Sequence, residues 1–184
     1  MDIIITILII LVCIVVTLLI LALFIPKHYS VTVSQTINRP QKDVFEYVSI
    51  LQNQLKYSEW LKSDDTLKPE ISGTDGTVGA ILKWESNNED KNKNTGKGEQ
   101  EIKSMDDNNI DIELRLIKPM PGICKLQNNF LETETNKTLY TCTFSAFAKY
   151  PINLPSYLIG RQFIKKAQQK TLNNLKSILE ESIN

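Results

Sequence analysis

Tyr29-Ser30-Val31-Thr32-Val33-Ser34-Gln35-Thr36-Ile37-Asn38-Arg39-Pro40-Gln41-Lys42-Asp43-Val44-Phe45-Glu46-Tyr47-Val48 changes period halfway along. Up to Thr36, Val31 and Val33 alternate with Thr32, Ser34 and Thr36, the two-residue repeat of a strand with one face buried. Asn38 is then expected to cap a helix whose first turn is Arg39 to Asp43, with Pro40 near the start, where no amide partner is needed. Val44, Phe45, Val48 and Leu51 fall at helical spacing and supply one apolar face. A strand that turns directly into an amphipathic helix starts an α+β reading of the chain.

Downstream, a short helix or turn is expected around Leu55 to Leu61, carrying Tyr57 and Trp60. Strand signals then repeat. Leu67 to Ile71 leads into the turn Ser72-Gly73-Thr74-Asp75-Gly76, and Ala80 to Glu85 alternates Ala80, Leu82 and Trp84 against Lys83 and Glu85. Asn87 to Thr95 is polar and reads as a solvated loop. Lys97 to Ser104 and Ile110 to Ile117 pair across Asp106-Asp107-Asn108-Asn109, and the second is the clearest strand, with Ile110, Ile112, Leu114 and Leu116 opposed to Asp111, Glu113 and Arg115. Pro119 and Pro121 end it. Ile123 to Glu132 and Leu139 to Ala148 form a further antiparallel pair. A long helix from about Leu154 to Ile183 closes the chain, with Ile164, Ala167, Thr171, Leu172, Leu175, Ile178 and Leu179 on one face. Alternating strands must bury one face, and this helix is the apolar cover the sequence offers. A curved antiparallel sheet wrapped over one helix leaves concave space that side chains do not always fill, and that space is where a ligand sits.

Upstream, Ile3 to Ile25 contains no charge, no Gly and no Pro. About 20 residues at roughly 1.5 Å each cross a bilayer core, so the segment is expected to be a transmembrane helix. A cleaved signal peptide calls for a basic leader and a small-x-small site, and neither Met1-Asp2 nor Leu21-Ala22-Leu23 provides them. The expected division is an anchor over 1–28 (span 3–25) and one domain over 29–184. Lys27, Arg39 and Lys42 follow the span and none precedes it, which favours a single-pass membrane protein with a cytoplasmic domain.

The 184 residues carry 21 Lys+Arg against 21 Asp+Glu, a formal charge of zero. This balance gives no long-range pull toward nucleic acid and no polybasic field for anionic lipid. The cysteines are Cys13, Cys124 and Cys142, with no CxxC pair, and the histidine is His28. A Cys/His metal or haem site is not expected, and no cofactor is implied.

With this order of elements established, the sequence resembles the START-like, or SRPBCC, superfamily, and within it the polyketide cyclase/dehydrase-like group. The resemblance lies in Val31-x-Val33 followed by Ile37-Asn38-Arg39-Pro40-x-x-x-Val44-Phe45-x-Tyr47-Val48, and in Tyr57-Ser58-Glu59-Trp60. It continues in Val78-Gly79-Ala80 before Leu82-x-Trp84, in Gly96-x-Gly98-x-Gln100-x-Ile102, and in Leu175-Lys176-x-x-Leu179-Glu180 of the closing helix. It covers almost all of Tyr29 to the C-terminus and leaves the N-terminal span outside. It implies a helix-grip fold with a hydrophobic cavity between sheet and C-terminal helix. About function it implies less, since members include lipid carriers, receptors, cyclases and chaperone cofactors.

Inward-facing positions give the expected cavity wall: Trp60, Leu82, Trp84, Gln100, Ile102, Ile112, Leu114, Asn128, Phe130, Tyr140, Cys142 and Phe144, with Phe163 and Ala167 from the helix. Any of them can equally be plain core. Gln100 and Asn128 are polar in an inward phase, so they either meet a ligand's polar end or sit at a wet strand end. No Cys-His pair is available to make Cys142 a nucleophile. Glu99 and Glu101 fall in the solvent phase, and Asp64-Asp65 reads as loop charge, so no catalytic residues are nominated. The expected function is a membrane-anchored domain that binds a lipid or other hydrophobic small molecule without catalysis. The alternatives are a cyclase- or hydrolase-type enzyme, which needs titratable groups converging in the cavity, and a protein-interaction domain like the chaperone-cofactor relatives.

Overall fold

The computed structural model describes residues 2–90 and 94–181. The apolar segment forms one helix, α1 (Asp2–Phe24), long and apolar enough over Ile3–Phe24 to cross a membrane. β-Branched Ile and Val are poor helix formers in water, but a helix satisfies every amide of such a segment in lipid. Its end is shaped by Pro26. Ala22 would normally accept a hydrogen bond from the amide four residues on, and that residue is a proline, which has none. The side chain of Asn153 takes its place, donating from Nδ2 to the carbonyls of Ala22 (2.7 Å) and Ile25 (2.8 Å). Ala22 is small enough to admit this contact and is 2% exposed.

After α1 come β1 (His28–Ile37), α2 (Gln41–Ser49), a 3₁₀ turn over Leu51–Asn53, and the one-turn helices α3 (Gln54–Tyr57) and α4 (Glu59–Lys62). Then follow β2 (Glu70–Ser72), β3 (Ile81–Glu85), β4 (Lys97–Met105), β5 (Asn109–Lys118), β6 (Gly122–Glu134) and β7 (Lys137–Phe147). The chain ends with α5 (Asn153–Pro155), a π-helical turn over Ser156–Gly160, and α6 (Arg161–Glu181). The strands make one antiparallel sheet in the order β1-β7-β6-β5-β4-β3-β2, curved around α6, so the expected α+β architecture is the one observed.

One local expectation is corrected. Asn38 does not cap α2: the helix starts at Gln41 after Pro40, and no side-chain cap bond is made. The Asn38 amide instead donates to Glu180 (2.7 Å), while the Arg39 guanidinium donates to the carbonyl of Leu179 (2.6 Å). The stretch thus serves the C-terminal end of α6, where orphan carbonyls favour a cation. The closing helix runs from Asn153 as expected, with a π-helical turn over Ser156–Gly160 inserted between its first turn, α5, and its long body, α6. Ile183, given to that helix, lies outside the described residues, as do positions 91–93 of the polar loop.

β1 and β2 are the edges of the sheet. β2 has three residues, while β1 has ten and is covered along its outer side by α6. Gln169 Nε2 donates to the carbonyl of Ser34 (3.4 Å) and Lys176 Nζ to that of Thr36 (2.7 Å). These contacts fix the direction of α6: its C-terminal end lies by Ile37, and its first turns lie by His28, where α1 leaves the domain. The main core is at the Ile37 end. There Val44, Val48 and Leu51 pack on Ile37, Leu82, Ile102, Ile110 and Phe130 under Leu172 and Leu175, and all are fully or almost fully buried.

Candidate functional site

Burial falls along β5: Ile110 is fully buried and Ile112 nearly so, while Leu114 and Leu116 are half-buried although they share the same face. The helices α2 and α3 fill the sheet's concavity at one end and leave it hollow at the other. The hollow is a cavity of about 510 Å³, in the range of small-molecule sites. Its floor is Ile112, Leu114, Leu116, Leu126, Cys142 and Phe144. α6 closes it with Phe163, Ile164, Gln168 and Thr171, and α3 and α4 with Gln54, Tyr57, Trp60 and Leu61. Trp84 forms one wall. Trp60 and Phe163 meet edge to face, ring centroids 5.4 Å apart, and Lys118, Pro119 and Met120 complete the rim.

Of the residues nominated from sequence, Trp60, Trp84, Gln100, Ile112, Leu114, Asn128, Tyr140, Cys142, Phe144 and Phe163 come together on this cavity. Leu82, Ile102, Phe130 and Ala167 do not line it. Leu82, Ile102 and Phe130 face inward but are fully buried in the core, with Phe130 stacked on Tyr140 at 4.8 Å and edge-on to Phe45 at 5.5 Å. Ala167 lies about 100° round α6 from Gln168, and the latter, with Ile164 and Thr171, forms the cavity-facing row.

The polar groups divide into partnered and unpartnered. Gln100 Nε2 donates to Gln54 Oε1 (2.9 Å), Tyr140 Oη donates to Asn128 Oδ1 (2.8 Å), and Asn128 Nδ2 donates to the carbonyl of Ile110 (3.0 Å). These pairs satisfy each other and hold strands in register. Two groups missed by the alternation argument differ. The hydroxyl of Thr95 is buried on the cavity wall without a hydrogen-bond partner, and Gln168, mostly buried as a residue, lines the cavity and makes no side-chain hydrogen bond among the described residues. Thr95 sits in a loop, where periodicity says nothing, and Gln168 reads as a surface residue by composition.

The buried thiol and phenols on the cavity are held in their neutral forms. Burial pushes the Cys142 thiol up to about 12 and raises Tyr57 and Tyr140 well above the ordinary phenol range. Neither Asp, Glu nor His lines the cavity among the described residues. Asp64, read as loop charge, is instead 3% exposed and is the hub of the cavity's outer loop. It accepts from Thr66 (backbone 3.0 Å, hydroxyl 2.6 Å), from Asn88 Nδ2 (3.1 Å) and from the hydroxyl of Ser86. Burial works against its ionised form, but these donors outweigh it and hold the carboxyl well below the usual range. The loop it ties down leads to Asn94 and Thr95 on the wall. Glu99 and Glu101 lie on the opposite, outer face, where with Glu113 they surround Arg115 at 2.5–2.9 Å.

No protein-family model and no curated protein sequence matches the chain. Solved structures do. Norcoclaurine synthase from Thalictrum flavum, in complex with dopamine and hydroxybenzaldehyde, superimposes with a TM-score of 0.62 at 11% identity, over 85% of this chain and 89% of that one. Ara h 8.0201 matches at 0.59 and 11% identity, covering 84% and 99% of the two chains. The Aha1 dimer from Colwellia psychrerythraea matches at 0.57 and 14% identity, covering 85% and 99%. A synthase and proteins of other names thus share one scaffold, and identities this low carry the architecture and nothing finer. Beyond its N-terminal helix, this chain has the START-like helix-grip fold.

Proposed function

We propose that the chain is a single-pass membrane protein whose domain, on the cytoplasmic side, binds a lipid or other apolar small molecule without transforming it. The observation that carries this reading is the cavity: about 510 Å³, walled by aliphatic and aromatic side chains, with the buried hydroxyl of Thr95 left without a partner. A buried polar group without a partner costs about 1–3 kcal/mol, a cost that a ligand's hydroxyl or carbonyl would remove. The occupant is therefore a mostly apolar molecule with a neutral hydrogen-bonding end. Thiol and phenols held neutral supply no general base, which weighs against acid/base chemistry.

Native mass spectrometry of the full chain released from lipid nanodiscs tests this. The wild type should retain a bound small molecule above the lipid background. Leu114→Trp, which fills the half-buried floor position, should lose it with an unchanged circular dichroism spectrum. A wild type that carries nothing, or a filled variant that carries as much, overturns the reading.

A further inference from the structure

Twelve large hydrophobic residues beyond α1 are exposed among the described residues, and they are not scattered. Val78 and Leu131 lie elsewhere. Three are in and around the β5–β6 link (Ile117, Met120, Ile123), six fall between Phe147 and Phe163, and Trp60 packs on Phe163. Register places these together. Phe147 faces His28 across β1 and β7, Cys124 faces Ala146, and Ile123 faces Arg115, so the β5–β6 link, the chain after β7 and the first turns of α6 share the end of the domain from which α1 emerges. Soluble domains do not collect so much apolar surface at one end.

The depth of this end relative to α1 is set by hydrogen bonds. Tyr150 Oη donates to the carbonyl of Leu19 (3.4 Å), and Asn153 donates to those of Ala22 and Ile25. Leu19 is five residues before the end of α1, about 7.5 Å along its axis. The segment that carries Tyr150 and Ile152 thus lies alongside the last turn and a half of the apolar helix, at the level where that helix meets the lipid interface. Met120 (70% exposed) and Ile159 (72%) belong to the same end. Around them are Lys27, Lys118, Lys149, Lys165 and Lys166, all exposed and none in an ion pair among the described residues, with Arg161 over the ring of Tyr157 at 5.3 Å. The carboxylates near this end sit on the β3–β4 side: Glu85, paired with Lys97, Asp64, bonded to Ser86 and Asn88, with Asp65 next to it, and Glu89 and Asp90 in the loop that follows β3. Charge is neutral over the whole chain but segregated, so the expectation of no basic field for lipid, drawn from the average, is corrected here. Apolar side chains ringed by lysines, with Tyr and Trp between them, match a bilayer's interface.

We infer that this end of the domain is a second membrane contact, with Met120, Ile152, Leu158 and Ile159 seated among lipid chains of the leaflet that α1 leaves, and the lysines at the level of the phosphates. The inference rests on α1 being the span, as proposed above, and it opens the cavity rim of Met120 and Phe163 toward lipid rather than water. The test uses the full chain in phosphatidylcholine vesicles that contain doxyl-labelled lipid. One sample carries a fluorophore on native Cys13, and others carry it in a Cys13→Ser background at Ile159→Cys or at Leu131→Cys. Leu131 lies beside Leu139 at the opposite end of the sheet. Cys124 and Cys142 are buried and stay unlabelled. Lipid quenching at position 159 should exceed that at position 131 several-fold and approach that at Cys13. Strong quenching at Cys13 with equal, weak quenching at 159 and 131 overturns the docking and leaves the span intact. Weak quenching at all three overturns the span itself.

Discussion

Thr95 holds a buried, unspent hydrogen bond of the cavity wall, and a substitution there separates binding from stability. Thr95→Val removes a hydroxyl that has no partner and keeps its shape, so the empty protein should gain about 1 kcal/mol in chemical unfolding while ligand retention in the mass-spectrometric assay falls. The opposite pattern is expected at Tyr140. Its hydroxyl satisfies Asn128, so Tyr140→Phe strands a buried carbonyl oxygen and should cost about 1–2 kcal/mol in the same measurement. Cys142 follows from its surroundings as well. A thiol raised from 9 to about 12 binds its proton more tightly in the folded than in the unfolded state. Its contribution to stability is complete below pH 9 and is lost as pH rises toward 12. Iodoacetamide at neutral pH should therefore modify Cys142 at the rate of unfolding, and a fast reaction with folded protein would show the pocket to be wetter than its geometry.

The outer face of β4 and β5 carries its own test. Arg115 is held above its already high ordinary value by hydrogen bonds from its guanidinium to Glu99, Glu113 and Glu101, and the Glu101 carboxyl is lowered by Lys103 and then by Arg115. Arg115→Gln leaves three carboxylates facing one another. Its melting temperature should fall at pH 7 and recover part of the loss near pH 4 as they take up protons, whereas a packing defect would show no such recovery. Alternation made these strands readable, because period two assigns each side chain a face: Ile112 and Leu114 inward, Glu113 and Arg115 outward. It does not assign a position along the strand. Leu82, Ile102 and Phe130 share the cavity's face yet lie beneath α2, and which end of the sheet those short helices cover depends on tertiary packing. Asn38 had the chemistry of a cap, but α2 starts only at Gln41, after Pro40, and the main-chain N–H of Asn38 serves Glu180, distant in sequence. Asp64 was unreadable for the same reason: its burial is made by a loop that closes over it from Ser86 to Asn88. One close approach was written locally. A side-chain carbon at Gly98 would come within 2.5 Å of the Trp84 ring across the β3–β4 pair, so Gly98→Ala should displace Trp84 from the cavity wall, cost about 1–3 kcal/mol and weaken ligand retention.

At the scale of the molecule, α1 and the domain are joined by more than a linker. The Asn153 amide replaces the donor that Pro26 lacks, and the side chain is fully buried. Asn153→Leu leaves the carbonyls of Ala22 and Ile25 without that donor in a medium of low polarity. Faster amide hydrogen exchange is expected around the α1–β1 junction, with protection of β5 to β7 unchanged. Slow exchange throughout would mean that the linker alone fixes the geometry. Chain molecules confined to a leaflet collide in two dimensions, where a bare ten-residue strand would be an invitation to zip one sheet onto the next. Here the outward carbonyls of Ser34 and Thr36 already hold Gln169 and Lys176. With the anchoring proposed above, a crowded membrane would find two of this flank's hydrogen-bond acceptors already taken, and neighbours would have fewer points at which to fuse.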